Sequence, residues 1–350
     1  VVYLLHVFDT AINSGEDIRA DTGLPCFALL PEVGKRALGH LRAEDYSVRR
    51  PLTAFAEQIR GLRASLWLGA HRPKVIAVTA ARPGEGKTVL VLSLGRSAQL
   101  AGEKVLLIEC DMRQPKFGRL FPADGDQGLS DLLRGQAALE DVLREDPLSG
   151  LTYIQAGKVT GDMLALFLSD AMARLIDTVR AHYDLILLDT APVQAMSEAR
   201  VAAAIADAVL LCVRWRSTPR AVMRHAFALL RETHANVVGA ILTRVDSRAH
   251  VRSGAVKLLA VTAPRRFPTL PEVPTSAESG LPDYIVRSWN AVVFPARTPR
   301  PLVEAMNRAI RRALAVPEIR DRLIELGGLP EASSPEELGA MIPAEVAAWG

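Results

Sequence analysis

Cysteine is scarce: Cys26, Cys110 and Cys212 are the only three in 350 residues, an odd number set far apart. That excludes a disulfide framework and leaves no metal-ligand spacing. Two of the three lie in apolar, strand-like runs and read as reduced core residues of a cytosolic protein. Aromatic residues make up only 5% of the chain and its basic residues are scattered, so a formal net charge of +3 gives no warrant for nucleic-acid binding. No run of about 18 to 20 apolar residues occurs, so nothing as written spans a bilayer, and no signal peptide can be recognised. Tyrosine is sparse and unclustered, at Tyr3, Tyr46, Tyr153, Tyr183 and Tyr284.

What is plentiful is apolar sequence, 49% of the chain, enough for one or two sizeable cores and two domains. Strand-like runs near 75, 106, 152, 186, 209 and 238 alternate with helical patterns near 58, 90, 170, 200 and 224. Such alternation predicts an α/β fold with a mostly parallel sheet covered by helices on both faces.

The chemistry concentrates at three strand ends. Val75-Ile76-Ala77-Val78 predicts a buried strand and Thr88-Val89-Leu90-Val91-Leu92 opens a helix. Between them, Pro83, Gly84, Glu85, Gly86, Lys87 and Thr88 form a phosphate loop. Its glycines let backbone amides turn inward, and the helix dipole adds to their hold on phosphate oxygens. Lys87 is placed for the β and γ phosphates of a nucleoside triphosphate, and Thr88 offers a hydroxyl to Mg2+. The general phosphate-loop pattern has Gly at the position of Ala81, so an ordinary backbone angle is expected there. In the second run, Val105-Leu106-Leu107-Ile108 ends in Glu109 and Asp111, which an extended strand points the same way, toward the crevice where such sheets bind ligands. The third, Leu185-Ile186-Leu187-Leu188, ends in Asp189, as expected of an outer-sphere magnesium ligand. Arg82 and Arg113 lie close enough to meet phosphates or a neighbouring subunit, and Arg244, after the last strand, is a candidate base contact.

These residues resemble the bacterial tyrosine kinases of exopolysaccharide synthesis, the BY-kinases, over about residues 1–250. The likeness rests on Pro83 to Thr88, on the acid-rich second motif from Glu109 to Arg113, and on the D-x-x-P run from Asp189 to Pro192. Glu109 departs from it, since the family usually has Asp there. Glu57, Arg60 and Arg63 reproduce the family's E-x-x-R-x-x-R helix, which the resemblance ties to contacts between neighbouring subunits. The resemblance implies transfer of the γ-phosphate of ATP to a tyrosine of another subunit. Lys87, Asp111 and Asp189 would be catalytic, with Thr88, Glu109, Asp111 and Asp189 around the metal and Asp111 activating the phenol. It also implies a homo-oligomer working with polysaccharide export or polymerisation machinery at the cytoplasmic face of the inner membrane. The opening Val1 to Phe8 resembles the cytoplasmic end of a transmembrane helix, and the stretch to Pro31 a juxtamembrane segment with a short strand, so an N-terminally truncated sequence is expected.

After about Gly254 the character changes to a strand-like Val256 to Thr262 and a proline-rich loop. Leu270 to Thr275, Ala277 to Gly280 and Ser288-Trp289-Asn290 resemble the C-terminal part of solute-binding proteins of tripartite tricarboxylate transporters. So do the helix starts at Thr298-Pro299, Pro317 and Ser334-Pro335-Glu336-Glu337, the last a predicted capping box. Expected domains are thus a linker at 1–50, a P-loop NTPase kinase domain at 51–250 and a receptor-like fragment at 254–350. The resemblance also implies a C-terminal tyrosine cluster, which these residues do not form, so ATP hydrolysis without kinase activity, as in P-loop ATPases of the partitioning or division-site type, is one alternative. A carboxylate-binding receptor, supported only by the last hundred residues, is the other.

Overall fold

The structure, a computed structural model, describes residues 11–68, 72–121, 125–158, 161–246, 259–268, 270–282, 284–285, 291–325 and 328–349. Val1 to Phe8, Val256 to Leu258 and Ser288 to Asn290, singled out above, lie outside the described residues. Two compact units divide the chain, Val1–Ala255 and Val256–Gly350.

In the first unit, in chain order, lie α1 (Gly15–Thr22), β1 (Cys26–Pro31), α2 (Ala54–Trp67), β2 (Val75–Ala80), α3 (Lys87–Gln99), β3 (Val105–Glu109), β4 (Arg144–Glu145) and β5 (Thr152–Ile154). After these come α4 (Asp170–Arg180), β6 (Leu185–Asp189), α5 (Ser197–Ala204), β7 (Ala208–Arg214), α6 (Arg220–Glu232) and β8 (Val237–Val245), with short helical turns between. The eight strands form one sheet in the order β1-β8-β7-β2-β6-β3-β5-β4. Every pairing is parallel except the two-residue edge strand β4 against β5. Strand β4 was not expected, being too short to carry a period.

Strand β2 is buried along its whole length, and so are β3 and β6. Continuous apolar runs of this kind suit a strand covered on both faces. Alternate residues serve opposite cores: Val75 and Ala77 pack with α4, α5 and α6 on one face, whereas Ile76 and Val78 pack with α2 and α3 on the other. Helix α4 presents Met172, Leu175, Ile176 and Val179 to the first core, the i, i+3, i+4, i+7 stripe of an amphipathic helix. Because the strands run parallel, the acids that end β3 and β6 and the loop that follows β2 all emerge at one edge.

The second unit contains α7 (Arg300–Ala315), α8 (Pro317–Glu325) and α9 (Pro335–Trp349). The predicted capping box of α9 is present: the Ser334 amide donates to Glu337 Oε2 at 2.7 Å, and the Glu337 amide to Ser334 Oγ at 3.1 Å. Of the predicted strand, only residues from Leu259 onward are described. Its described part offers only an isolated parallel bridge between Val261 and Thr275, as suits a segment next to prolines that lack the ladder donor. Among the described residues of this unit, Val273 is the one deeply buried hydrophobic side chain, and α7 buries none. Among the described residues of the whole chain, no helix is long and apolar enough to cross a membrane.

Candidate active site

At the end of β2 the chain turns through Ala81 to Gly86 into α3. Gly84 and Gly86 sit at φ of 80° and 89°, in the left-handed region that strains any side chain. Ala81 lies outside that region and is buried, so the loop tolerates Ala where the general pattern has Gly. Pro83 and Gly84 are exposed at the tip, and Lys87 and Thr88, the first residues of α3, are buried.

Glu85 does not face outward with the loop. Its carboxylate turns into the protein, accepting from the Arg82 amide at 3.0 Å and from the Thr218 hydroxyl, while the Thr243 hydroxyl donates to the Glu85 carbonyl at 2.8 Å. Burial raises its carboxyl above the usual range, with the Thr218 hydrogen bond opposing. Glu85 therefore braces the loop against β7, α6 and β8, and only its backbone remains to meet a phosphate.

Beneath the loop, Thr88 Oγ1 donates to Asp189 Oδ2 at 2.8 Å, and Lys116 Nζ donates to Thr88 Oγ1 at 3.0 Å. Register explains the meeting. Asp189 ends β6, between Val78 of β2 and Glu109 of β3. Its carbonyl accepts the amides of Cys110 at 2.9 Å and Asp111 at 3.1 Å, which curls the end of β3 over β6 and brings Asp111 to the cluster. Burial lifts the Asp189 carboxyl to about 6, against the pull of Lys87, the Thr88 hydroxyl and Lys116, while Asp111 pushes it up further.

Glu109, expected near the metal, is engaged by backbone amides. Its Oε1 accepts the amides of Lys116 and, at 2.8 Å, Phe117, and its Oε2 accepts the Ala156 amide at 3.0 Å. The carboxylate ties β3 to the following loop and to the end of β5. Burial raises it to about 7, opposed by those three amides and aided by Asp189. Alternation along a strand correctly put Glu109 and Asp111 at one edge, but the chain leaves the strand after Glu109 and the two acids part.

The Glu57, Arg60 and Arg63 set is also divided. Arg60 pairs with Glu57 within α2 and donates to the Pro51 carbonyl at 2.9 Å, both side chains being exposed. Arg63 instead turns to α3, donating to the Ser97 carbonyl at 2.6 Å. Six residues from Glu57 amount to well over one and a half turns, enough to carry Arg63 to the flank of the helix. Arg113 meets Glu198 at 3.3 Å, Arg82 is exposed, and Arg244 stands at φ 54° with its guanidinium 3.9 Å from Glu32. Lys116 and Thr218 were missed by sequence reasoning. Each belongs to no motif and reaches the site only through strand register.

The residues fit a nucleotide-borne magnesium ion. Among the described residues no group of three or more His, Cys, Asp or Glu could hold a metal by itself. Magnesium bound with phosphates needs only one or two protein groups, the rest being phosphate oxygens and water. Asp189 Oδ1 is buried without a hydrogen-bond partner, an acceptor left open to such an ion or its water.

Parallel sheet, glycine loop at its central strand, Lys-Thr at the helix start and buried acid beside it define a P-loop nucleotide-binding domain of the α/β class. Residues 73–223 match the AAA domain model, and residues 222–350 match the tripartite tricarboxylate transporter family receptor model. Within the P-loop class the first unit is similar to bacterial tyrosine kinases. EpsB of Ralstonia nicotianae, assigned as a tyrosine-protein kinase, is 29% identical over 248 residues, which are 68% of this chain and 33% of EpsB. ExoP of Rhizobium meliloti, a succinoglycan biosynthesis transport protein, is 28% identical over 207 residues, 57% of this chain and 26% of ExoP. The kinase domain of the Escherichia coli tyrosine kinase ETK superposes with a TM-score of 0.64 at 26% identity, covering 68% of this chain and 96% of that domain. The chain spans about a third of the length of EpsB. A likeness to kinase domains over the first unit is thus joined in one chain to a receptor-family segment. The receptor model begins at residue 222, within α6, and so extends into the first unit.

Proposed function

We propose that the first unit binds ATP with magnesium and transfers the terminal phosphate to a tyrosine on another molecule, as the kinase domain of an exopolysaccharide export or polymerisation system. The observation that carries this reading is the Thr88–Asp189 hydrogen bond beneath the phosphate loop, with Asp189 Oδ1 open beside it. Magnesium, when bound with the nucleotide, supplies neutralisation of phosphate charge. The loop amides and Lys87 would hold the phosphates, Thr88 and Asp189 would hold the ion or its water, and Asp111 would take the proton of the attacking phenol. Glu109 acts by positioning, through the amides it clamps. The exposed Glu57 and Arg60 are our candidates for contact with a neighbouring subunit.

One observation favours a second reading, hydrolysis without transfer. Tyr46 and Tyr153 are buried, and Tyr153 is stacked on Phe121 with ring centroids 4.1 Å apart. Tyr183 is half-buried, and Tyr284, at 57% exposure, is the freest described tyrosine. The acceptor is therefore expected on a separate protein. We assign no activity to the second unit.

Incubation with ATP, magnesium and an added tyrosine-containing polymer as acceptor, scoring phosphotyrosine and released phosphate side by side with Lys87→Met as control, tests both readings. Phosphotyrosine that depends on Lys87 supports the kinase, and Lys87-dependent phosphate release alone supports the ATPase. Nucleotide binding untouched by Lys87→Met would overturn the site itself.

A further inference from the structure

Resting on the nucleotide-binding reading above, we infer that Lys116 is a built-in competitor for the metal position: its ammonium holds the Thr88 oxygen that a nucleotide-borne divalent cation takes, and leaves when that cation binds.

The hydrogen bonds give the geometry. Thr88 Oγ1 has one proton and spends it on Asp189 Oδ2 at 2.8 Å, so toward Lys116 Nζ, at 3.0 Å, it acts only as an acceptor. A magnesium ion held by the same hydroxyl needs that acceptor face too. The root of the lysine is fixed as well. Its amide, with that of Phe117, is held by the buried Glu109 carboxylate, whose other oxygen is held by Ala156, and the Phe117 ring is fully buried beside it. From this anchored position a four-carbon stem delivers the ammonium to Thr88 and into the field of Asp189, while the half-buried side chain keeps a route back to solvent. Glu109, Asp111 and Asp189 crowd negative charge at this edge, which a lysine counter-ion relieves. Two cations cannot share one hydroxyl oxygen at short range without strong repulsion. Metal loading is thus an exchange of one positive charge for another. The Glu109 clamp uses only backbone amides of 116 and 117, so substitutions of the Lys116 side chain leave it in place.

The test uses the full chain with Lys116→Met, which keeps the stem length and removes the charge, and Lys116→Arg, which keeps the charge. Lys116→Gln is the second neutral variant should Lys116→Met fail to fold. Manganese is titrated in the presence of saturating ADP, with free manganese read by electron paramagnetic resonance, and folding is checked by thermal melting. The neutral variants are expected to bind manganese about tenfold more tightly than the parent, and Lys116→Arg no more tightly. Unchanged or weaker manganese binding in a folded neutral variant, with a parent that does bind, overturns the competitor role and leaves the nucleotide site standing. Failure of parent and variants alike to bind manganese–ADP overturns the nucleotide reading and this inference with it.

Discussion

At the scale of single residues, Asp189 holds a charge where burial opposes it. It is 2% exposed and negatively charged near Asp111 and Glu109, and burial raises its carboxyl to about 6. A folded-state pKa above the ordinary value near 4 means that the folded chain holds the proton more tightly than the unfolded one. The stability Asp189 contributes is therefore fully present below about pH 4 and is lost as the pH rises through about 6. Asp189→Asn removes that charge while leaving an oxygen to accept from Thr88. At neutral pH the nucleotide-free protein is expected to gain about 2 kcal/mol, read by urea unfolding, and to lose magnesium-dependent ADP binding, read by calorimetry. In the parent, magnesium–ADP affinity should fall between pH 7 and 5 as Asp189 takes up its proton. A flat profile over that range would speak against Asp189 as the metal-side acid. Lys87, Thr88 and Asp189 were legible in the sequence because local order, strand then loop then helix, determines where they stand. Lys116 and Thr218 were not, because only the assembled sheet sets them beside Thr88 and Glu85.

At the scale of elements, α3 does more than present the phosphate loop. Near its far end Arg96, only 2% exposed, donates through Nε and Nη2 to both oxygens of Asp146 at 2.8 and 3.0 Å. Its Nη1 donates to Asp45 Oδ1 and to the Glu44 carbonyl, each at 2.8 Å. One buried guanidinium thus ties α3 to the helical turn Ala43–Asp45 and to the loop after β4. Burial pushes the Asp146 carboxyl up, but the Arg96 guanidinium and the Ser149 hydroxyl more than reverse this, so it lies below its ordinary value. The stability it contributes is present above about pH 4 and is lost as the pH falls through the lowered value. Arg96→Met strands two carboxylates and should cost about 3 to 5 kcal/mol by urea unfolding. Adding Asp146→Asn should return part of that loss, and strict additivity would show that the pair does not interact. Periodicity made the parallel strands of the first unit legible, though not the two-residue β4, because buried parallel strands are apolar throughout and their helices carry stripes. It gave no warning of this network, since an arginine at position 96 of a helix reads from sequence as a solvated charge.

For the whole molecule, the division at Ala255 separates a unit with two extensive cores from one in which Val273 is the single deeply buried hydrophobic side chain described. The second unit's helices lean on exposed pairs such as Arg300–Glu336 and Arg311–Glu337, which contribute little each. A chain ending at Ala255 should bind magnesium–ADP within about twofold of the full chain, as expected of a domain with its own core. Residues 256–350 alone should unfold without a cooperative transition by circular dichroism. Loss of binding on truncation would show that the receptor-like segment completes the kinase-like one.

The sequence by itself determined the α/β class, the phosphate loop, the acids at the strand ends and the change of character near residue 254. All of these are written in contiguous runs, where local backbone rules and hydrophobic period decide. Only the tertiary structure decided which acid meets Thr88 beneath the loop, that Glu109 clamps amides, that Arg63 turns to α3 and that Lys116 meets Thr88. Those outcomes depend on register between strands distant in sequence and on where a buried charge finds its partner, which no local pattern encodes.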